Sequence, residues 1–411
     1  MWRHLYSIGL TLSLPLLIGH VMTKYRRQGQ RAHVGDRIGV HRPKMSIGGI
    51  WIHACSLGEA KVAMALADEL IAQGIEQPIW FTATTPAGLH EFESQGRAVA
   101  VFPWDLPWVW SGWLAQTQPA AVVLIETELW PNLIAACHQA GIPVCLANGR
   151  LSERALTRYQ RIRQVIEPMW QSLTLALMQS KSDGERAEAL GVIPDRIAIT
   201  GSIKLDQSPP VSNPDERHRL VSWKGSRPLI CLMSSHPEEE AQVLSHLDPA
   251  WPVLIVPRHP IRAQEVARVA ESQGRTAALF SDPAPLDDAQ VVIGDTFGDM
   301  GTYLSASEVV LIGGTWVPHG GQNPIEPAIL GKPLVAGPWV FNFSAIVDGL
   351  VTAGGLVSSP LELLTATVQQ SIQHASTQGE AAKQWVLAHQ GATAVQAAAL
   401  IERLGLDRSG R

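Results

Sequence analysis

Cysteine is scarce in this 411-residue chain: the four present are Cys55, Cys137, Cys145 and Cys231, and no two stand at CxxC spacing. That excludes a disulfide framework and a cysteine-bound zinc, and it reads as buried apolar thiols in a reducing compartment. No Walker A loop and no HExxH pair occurs, which removes P-loop nucleotide hydrolysis and zincin chemistry from consideration. Internal repeats and low-complexity tracts are missing too, so neither a solenoid nor a disordered tail is expected. Acidic residues are nearly absent from the start of the chain. Residues 1–45 hold eight Lys and Arg against Asp36 alone, a net of +7, while the rest carries −12, for −5 in all. Within that stretch, Leu5 to Met22 (LYSIGLTLSLPLLIGHVM) has no Asp, Glu, Lys or Arg in 18 residues.

A membrane span needs about 20 mainly apolar residues. This one is close, although Ser7, Thr11, Ser13 and His20 dilute it and Pro15 interrupts it. A cleaved signal peptide is the rival reading. No small-x-small site follows, however, and Lys24-Tyr25-Arg26-Arg27 stands where translocation would be resisted. The expectation is an uncleaved anchor helix, either spanning the bilayer or lying in its interface, with the body on the cytoplasmic side of the inner (plasma) membrane. The basic arm beside it points to a membrane surface as partner and not to nucleic acid.

A length of 411 residues exceeds one ordinary core and suggests two or three domains. Beyond the arm, short apolar runs alternate with helical stretches. Strands are expected at 50–54, 79–83, 99–102, 121–125, 144–147, 173–178 and 196–199, and a helix from about Gly58 to Gln73. The polar, proline-bearing stretch 204–223 breaks the rhythm and reads as a linker. Strands resume at 229–233, 253–256, 291–294, 309–312 and 333–336, and 361–404 reads as helices. Buried apolar runs alternating with helices imply parallel sheets covered on both faces. The fold class is therefore α/β: two doubly wound domains facing a cleft, after an N-terminal anchor helix. The boundaries fall at 1–30 for the anchor and basic arm, 31–207 for the first domain, and 208–411 for the second with its terminal helices.

Chemistry-bearing residues collect at the carboxyl ends of the expected strands, where open α/β sheets hold ligands. The longest such stretch is GGTWVPHGGQNPIEP, from Gly313 to Pro327, after the run Val309–Ile312. Gly313, Gly314, Gly320 and Gly321 would let backbone approach a phosphate, and the helix start beyond Gln322 and Asn323 offers free N–H groups to an anion. Glu326 is one turn into that helix, in reach of a ribose diol. Glu59, at the lip of the first strand, is either a general base or a first-turn glutamate favoured by the helix dipole. Glu126 and Glu128, one residue apart, share a side if the chain is extended there, and Arg150 is a candidate common partner. Arg258 and His259, in VPRHP, suit a phosphate or carboxylate, or else form a surface turn. Ser234-Ser235-His236, Asp295-Thr296 and Asn342-Phe343 occupy similar strand-end positions.

These segments, in this order, resemble the 3-deoxy-D-manno-octulosonic acid (Kdo) transferases: WIHACSLGE, ETELWPN, NGRLSER, GSIKLD, SSHPEEE, PRHP, DTFGDM, GGTWVPHGGQNPIEP and GPWVFNF. The resemblance implies a GT-B glycosyltransferase with two Rossmann-like domains. Its donor is CMP-Kdo, and its acceptor a lipid A precursor of the lipid IVA kind, at the cytoplasmic membrane face. It makes Glu59 the base of an inverting transfer. Arg258, His259, Gly313, Gly314, Gly320, Gly321, Gln322, Asn323 and Glu326 fall on the donor side, with 208–411 as the donor domain. Ser56, Glu126, Glu128, Arg150 and Lys204 fall on the acceptor side or in structural roles within 31–207. It implies no cofactor and no metal, in line with the lack of a DxD-like pair at a strand end. The chain departs from the family pattern at Gln322, where histidine is usual, at Ser202-Ile203, at Pro237 and at Cys55. Two alternatives stand beside it: a GT-B enzyme using another nucleotide sugar, which UDP binding would mark, and a catalytically silent membrane-associated nucleotide-sugar-binding protein.

Overall fold

The computed structural model describes residues 2–27, 29–284 and 286–406. Residues 1 and 28 of the expected arm, and 407–411 of the expected second domain, lie outside the described residues. The chain divides into two compact units, residues 1–206 with 390–411, and residues 207–389.

In the first unit seven strands form one parallel sheet. They are β1 (Ile50–Ala54), β2 (Ile79–Ala83), β3 (Val99–Val101), β4 (Ala121–Ile125), β5 (Val144–Gly149), β6 (Leu175–Met178) and β7 (Ile197–Ile199). Their order is β3-β2-β1-β4-β5-β6-β7. The winding reverses between β1 and β4, which pair in register from Ile50 against Ala121. Both faces are covered, as continuous apolar runs require. One cover centres on Leu66, Leu70 and Phe92, and the other on Trp51, Trp110 and Trp170.

The second unit repeats the plan with β8 (Ile230–Ser235), β9 (Val253–Pro257), β10 (Ala277–Leu279), β11 (Val291–Ile293), β12 (Val309–Ile312), β13 (Leu334–Ala336) and β14 (Leu356–Ser358). The order is β10-β11-β9-β8-β12-β13-β14, all parallel, with the reversal between β8 and β12. The two doubly wound sheets are the expected α/β, GT-B architecture. Strands β10 and β14 are absent from the sequence reading. Each has only three residues, at a sheet edge and partly buried, a run too short to stand out as a strand.

Two further expectations change. The supposed linker 204–223 is largely ordered: Ile203–Asp206 is a 3₁₀ turn, and Pro214–Lys224 is a helix capped by the Asn213 side chain on the N–H groups of Asp215 and Glu216. Asparagine followed by proline is a helix start, which the count of prolines disguised. The last helix, Ala392–Leu404, does not join the second unit. Its Ala392, Ala397 and Leu400 pack with Leu66 and Leu70 of the first. Apolar spacing shows that a helix has a buried face but not which sheet it covers.

Asp206 ties that helix down. Its carboxylate accepts from the N–H of Gly391 and of Thr393, both at 2.6 Å, and from the Thr393 hydroxyl. Asp206→Ala removes this cap and is expected to lower unfolding stability by about 2 kcal/mol in a denaturant melt, while Asp206→Asn loses about half of that.

The N-terminal helix runs from Trp2 to Arg27 and is long and apolar enough to cross a membrane, with a mean hydropathy of 1.6 over its best 18 residues.

Candidate active site

In the first unit β1 ends at Ala54 and the chain turns through Cys55 and Ser56 into the helix Leu57–Ala72. Ser56 caps it and Glu59 reaches back, the two-way arrangement of a capping box. The Ser56 hydroxyl donates to Glu59 Oε1 and the Cys55 N–H to Oε2, each at 2.8 Å. Burial raises the Glu59 pKa; the Cys55 N–H opposes this, and Glu126 adds to the rise. Of the two sequence readings of Glu59, the first-turn glutamate is what the helix start displays, and the same carboxyl has a raised proton affinity at a strand end.

β4 is the neighbour of β1, so Glu126 emerges beside it. Glu126 has φ +60°, and the chain turns there. The extended geometry expected for Glu126–Glu128 does not occur, because a left-handed residue breaks the period-two alternation. Glu128 is nonetheless drawn into the same group. Its carboxyl is pushed up to about 7 by burial, then by Glu59 and Glu126, and no hydrogen bond offsets this among the described residues. The cation that meets Glu126 is Lys204, with Nζ 2.5 Å from Oε1. Of Arg150, the carbonyl accepts from the Thr127 hydroxyl at 3.2 Å.

Buried Asn148, at φ +52°, holds Lys204 in place. Its Oδ1 accepts from the N–H of Ile203 at 3.0 Å, and its own N–H donates to Gln396 of the terminal helix at 2.8 Å. Three carboxylates and one ammonium thus meet at the point where the sheet order reverses, the place such sheets use for ligands.

In the second unit, β8, β9 and β12 end side by side. Gly313 and Gly314 follow β12, where the loop is closely packed against the protein itself. A Cβ at Gly313 would lie 2.4 Å from the carbonyl oxygen of Met233, and one at Gly320 would lie 2.4 Å from the Phe341 ring. The N–H groups of Gly314, Thr315 and Trp316 point at the Glu239 carboxylate, at 2.7, 3.0 and 3.1 Å. Those of Gly321 and Gln322 bond the carbonyls of Gly314 and Gly313. The expected helix start past Gln322 is also slighter than supposed. It spans five residues from Ile325, with Asn323 Oδ1 accepting from the Ile325 N–H and Asn323 Nδ2 reaching Glu326. The loop's amides are largely paired within the chain, so the charge offered to an anion comes from side chains.

The fixed charge among them is that of the Arg258 guanidinium. Arg258 and His259 are exposed at the end of β9, and the Arg258 N–H is fixed on the Ser235 carbonyl at 2.9 Å. His236 stacks on His319 with ring centroids 4.2 Å apart, and Gln322 Nε2 lies 2.9 Å from His236 Nε2. Burial, then His319, Arg258 and His259, lowers the His236 pKa to about 4, so near neutral pH this imidazole is uncharged and bonded by Gln322. Behind it, the buried Glu240 accepts from Ser235 and from Arg262, both at 2.8 Å.

Sequence reasoning misses Glu239 and His319, and it reaches His236 only as one of several strand-end residues. The spacing His236-x-x-Glu239 is a local signal for those two, since the His236 N–H donates to Glu239. Nothing local links Glu239 to a loop more than seventy residues on.

The family model described as "3-Deoxy-D-manno-octulosonic-acid transferase (kdotransferase)" matches residues 24–207. The 3-deoxy-D-manno-octulosonic acid transferase of Bordetella pertussis is 32% identical, over 98% of this chain and 100% of its own. That of Haemophilus influenzae is 33% identical over 90% of each. Among solved structures, a UDP-GlcNAc 2-epimerase from Neisseria meningitidis aligns at TM-score 0.58 over 87% of this chain and 100% of its own; at 12% identity that similarity speaks for the fold alone. Sequence relationship over the full length, together with the paired doubly wound sheets, identifies the chain as a glycosyltransferase of lipopolysaccharide biosynthesis that belongs to the Kdo transferase family.

Proposed function

We propose that the protein transfers Kdo from CMP-Kdo to a hydroxyl of a lipid A precursor of the lipid IVA kind, at the inner membrane and from its cytoplasmic side. The observation that carries the proposal is the cluster of Glu59, Glu126, Glu128 and Lys204 at the β1/β4 reversal. Glu59 takes the proton from the acceptor hydroxyl as its oxygen bonds to the anomeric carbon. The bond from that carbon to the CMP phosphate breaks on the opposite face, so configuration inverts and CMP leaves as an anion. Arg258 and His259, with Gln322, Asn323, Glu326 and the loop glycines beside them, hold the donor. Side-chain cations meet the leaving phosphate, and transfer proceeds without a metal ion. Ser56, Glu126, Arg150 and Lys204 order the acceptor side. Product formation from CMP-Kdo and a tetra-acylated lipid A precursor, followed by mass spectrometry with and without chelator, tests the reading. CMP binding with no transfer would remove the acceptor from it, and transfer that stops with chelator would remove its metal independence.

A second assignment of the base has its own support. Both Glu59 oxygens already accept hydrogen bonds, whereas the Glu128 carboxyl accepts none among the described residues and sits near 7. A base must be deprotonated to work, so in either case the rate falls as pH drops through the cluster's apparent values. Lys204 lowers the Glu59 pKa, so removing its charge must raise it. Lys204→Met is expected to move the acid limb of the kcat/KM profile to higher pH and to slow turnover roughly tenfold at pH 7. An unmoved limb would detach Lys204 from the reacting carboxylate.

A further inference from the structure

The N-terminal helix is not free of the body. Ser7 is buried and its hydroxyl donates to Asn132 Oδ1 at 3.1 Å; Leu10 and Leu14 pack into the core under β1 and β4; Tyr25 is buried against Arg37. Ser7, Leu10 and Leu14 recur every three or four positions and Tyr25 lies on the same side eleven residues on, so one stripe of the helix meets the first unit near both ends. The helices it lies on, Pro131–Gln139 and Arg163–Gln171, expose polar and charged groups, including the Arg163–Glu167 ion pair. The opposite stripe is Leu5, Ile8, Leu12 and Leu16, all more than half exposed, with Leu12 at 76% and Leu16 at 78%. Arg3 stands at one end of this apolar stripe, and Lys24, Arg26 and Arg27 at the other.

From Ser7 to Tyr25 the helix advances about 27 Å, close to the roughly 30 Å of a bilayer's hydrocarbon core. If it stood across the membrane, the body packed along it would enter the hydrocarbon with its ion pairs, at several kcal/mol for each group. We infer that the helix does not cross the bilayer but lies in the plane of an anionic membrane surface, the Leu12 and Leu16 stripe among the acyl chains and the basic residues at both ends among the headgroups. This rests on the membrane reading above and specifies its geometry. An apolar stripe between cations is the pattern of interfacial helices, whose binding adds buried apolar area to attraction for anionic lipid. It makes the protein monotopic and holds the β1/β4 end of its first unit to the bilayer by a rigid element.

The test uses the full chain with Ile8→Cys, Leu12→Cys or Leu16→Cys, each labelled with an environment-sensitive fluorophore. Labelled wild type supplies the background from Cys55 and the buried thiols. Vesicles of phosphatidylethanolamine and phosphatidylglycerol carry quenchers at graded depths. An in-plane helix puts all three labels at one shallow depth. A crossing helix separates Ile8 from Leu16 by about 12 Å along the membrane normal, which would overturn the inference while leaving membrane binding intact. As a second variant, Leu12→Glu with Leu16→Glu alters only exposed positions; it is expected to cut partitioning into these vesicles at least tenfold with no change in melting temperature. Undiminished partitioning would place the stripe away from lipid. If wild type does not partition at all, the membrane reading itself fails.

Discussion

Glu239→Ala is expected to lower the unfolding free energy by about 3–5 kcal/mol and to abolish binding of CMP. Glu239 is fully buried, and its two oxygens accept from Gly314, Thr315, Trp316 and His236. Removing them leaves four N–H groups without their partner, three in the loop and that of His236 beyond β8. An unsatisfied buried donor costs about 1–3 kcal/mol, and breaking a buried charged network commonly costs 3–5. The loop so loosened carries Gln322 and His319, which contact His236. Denaturant melts and CMP titration check both effects, and a variant that melts within 1 kcal/mol of wild type and binds CMP normally would show the carboxylate to be dispensable. The pH dependence has a definite sign. Burial raises the Glu239 pKa despite the opposing backbone bonds. Between an ordinary carboxylate value and that raised value the folded state holds more protons than the unfolded one, so stability falls as pH rises through the window. Glu239→Gln removes that slope.

This network marks where reading the chain from its residues stops. Buried strands announce themselves as apolar runs, and β1, β2, β4 and β12 lie at the residues expected because each is covered on both faces. The strand-end residues follow from them, since whatever comes next is at the carboxyl edge. Edge strands β10 and β14 lack the second covered face and with it the signal. The terminal helix shows its apolar stripe but not its destination. Glu126 cannot be recognised as left-handed from its type, because few non-glycine residues sit there without a surrounding structure to hold them. The glycines illustrate a subtler limit. Their number predicts close approach correctly, but not that Met233 and Phe341 are among the groups that approach. Glu239 is one of three consecutive acidic residues, and only the fold separates the one that holds the loop from its exposed neighbour Glu238.

Glu59→Gln is expected to reduce kcat by at least a hundredfold, with CMP binding unchanged. General-base catalysis supplies about 10²–10⁴ in rate, and an amide cannot take the acceptor's proton. Glutamine keeps the volume and can accept the Ser56 hydroxyl, but it offers an NH₂ to the Cys55 N–H, so the capping box is weakened. Ser56→Ala separates the two roles. It removes the cap and leaves the carboxylate, at about 1 kcal/mol of stability. If Glu59 serves only as a cap, Ser56→Ala and Glu59→Gln will be equally mild in rate. If it is the base, Glu59→Gln alone will be severe, and Glu128→Gln will mainly shift the acid limb downward by deleting a neighbouring negative charge. A severe Glu128→Gln with a mild Glu59→Gln would transfer the proton to Glu128, whose carboxyl near 7 is poised to take it. The loss of kcat/KM converts to transition-state stabilisation only if the variants melt alike, so the melts of all three belong in the same experiment. Either result places the proton on a carboxylate at the β1/β4 reversal, because the sheet order brings Glu59 and Glu128 to one place from strands separated by nearly seventy residues of chain.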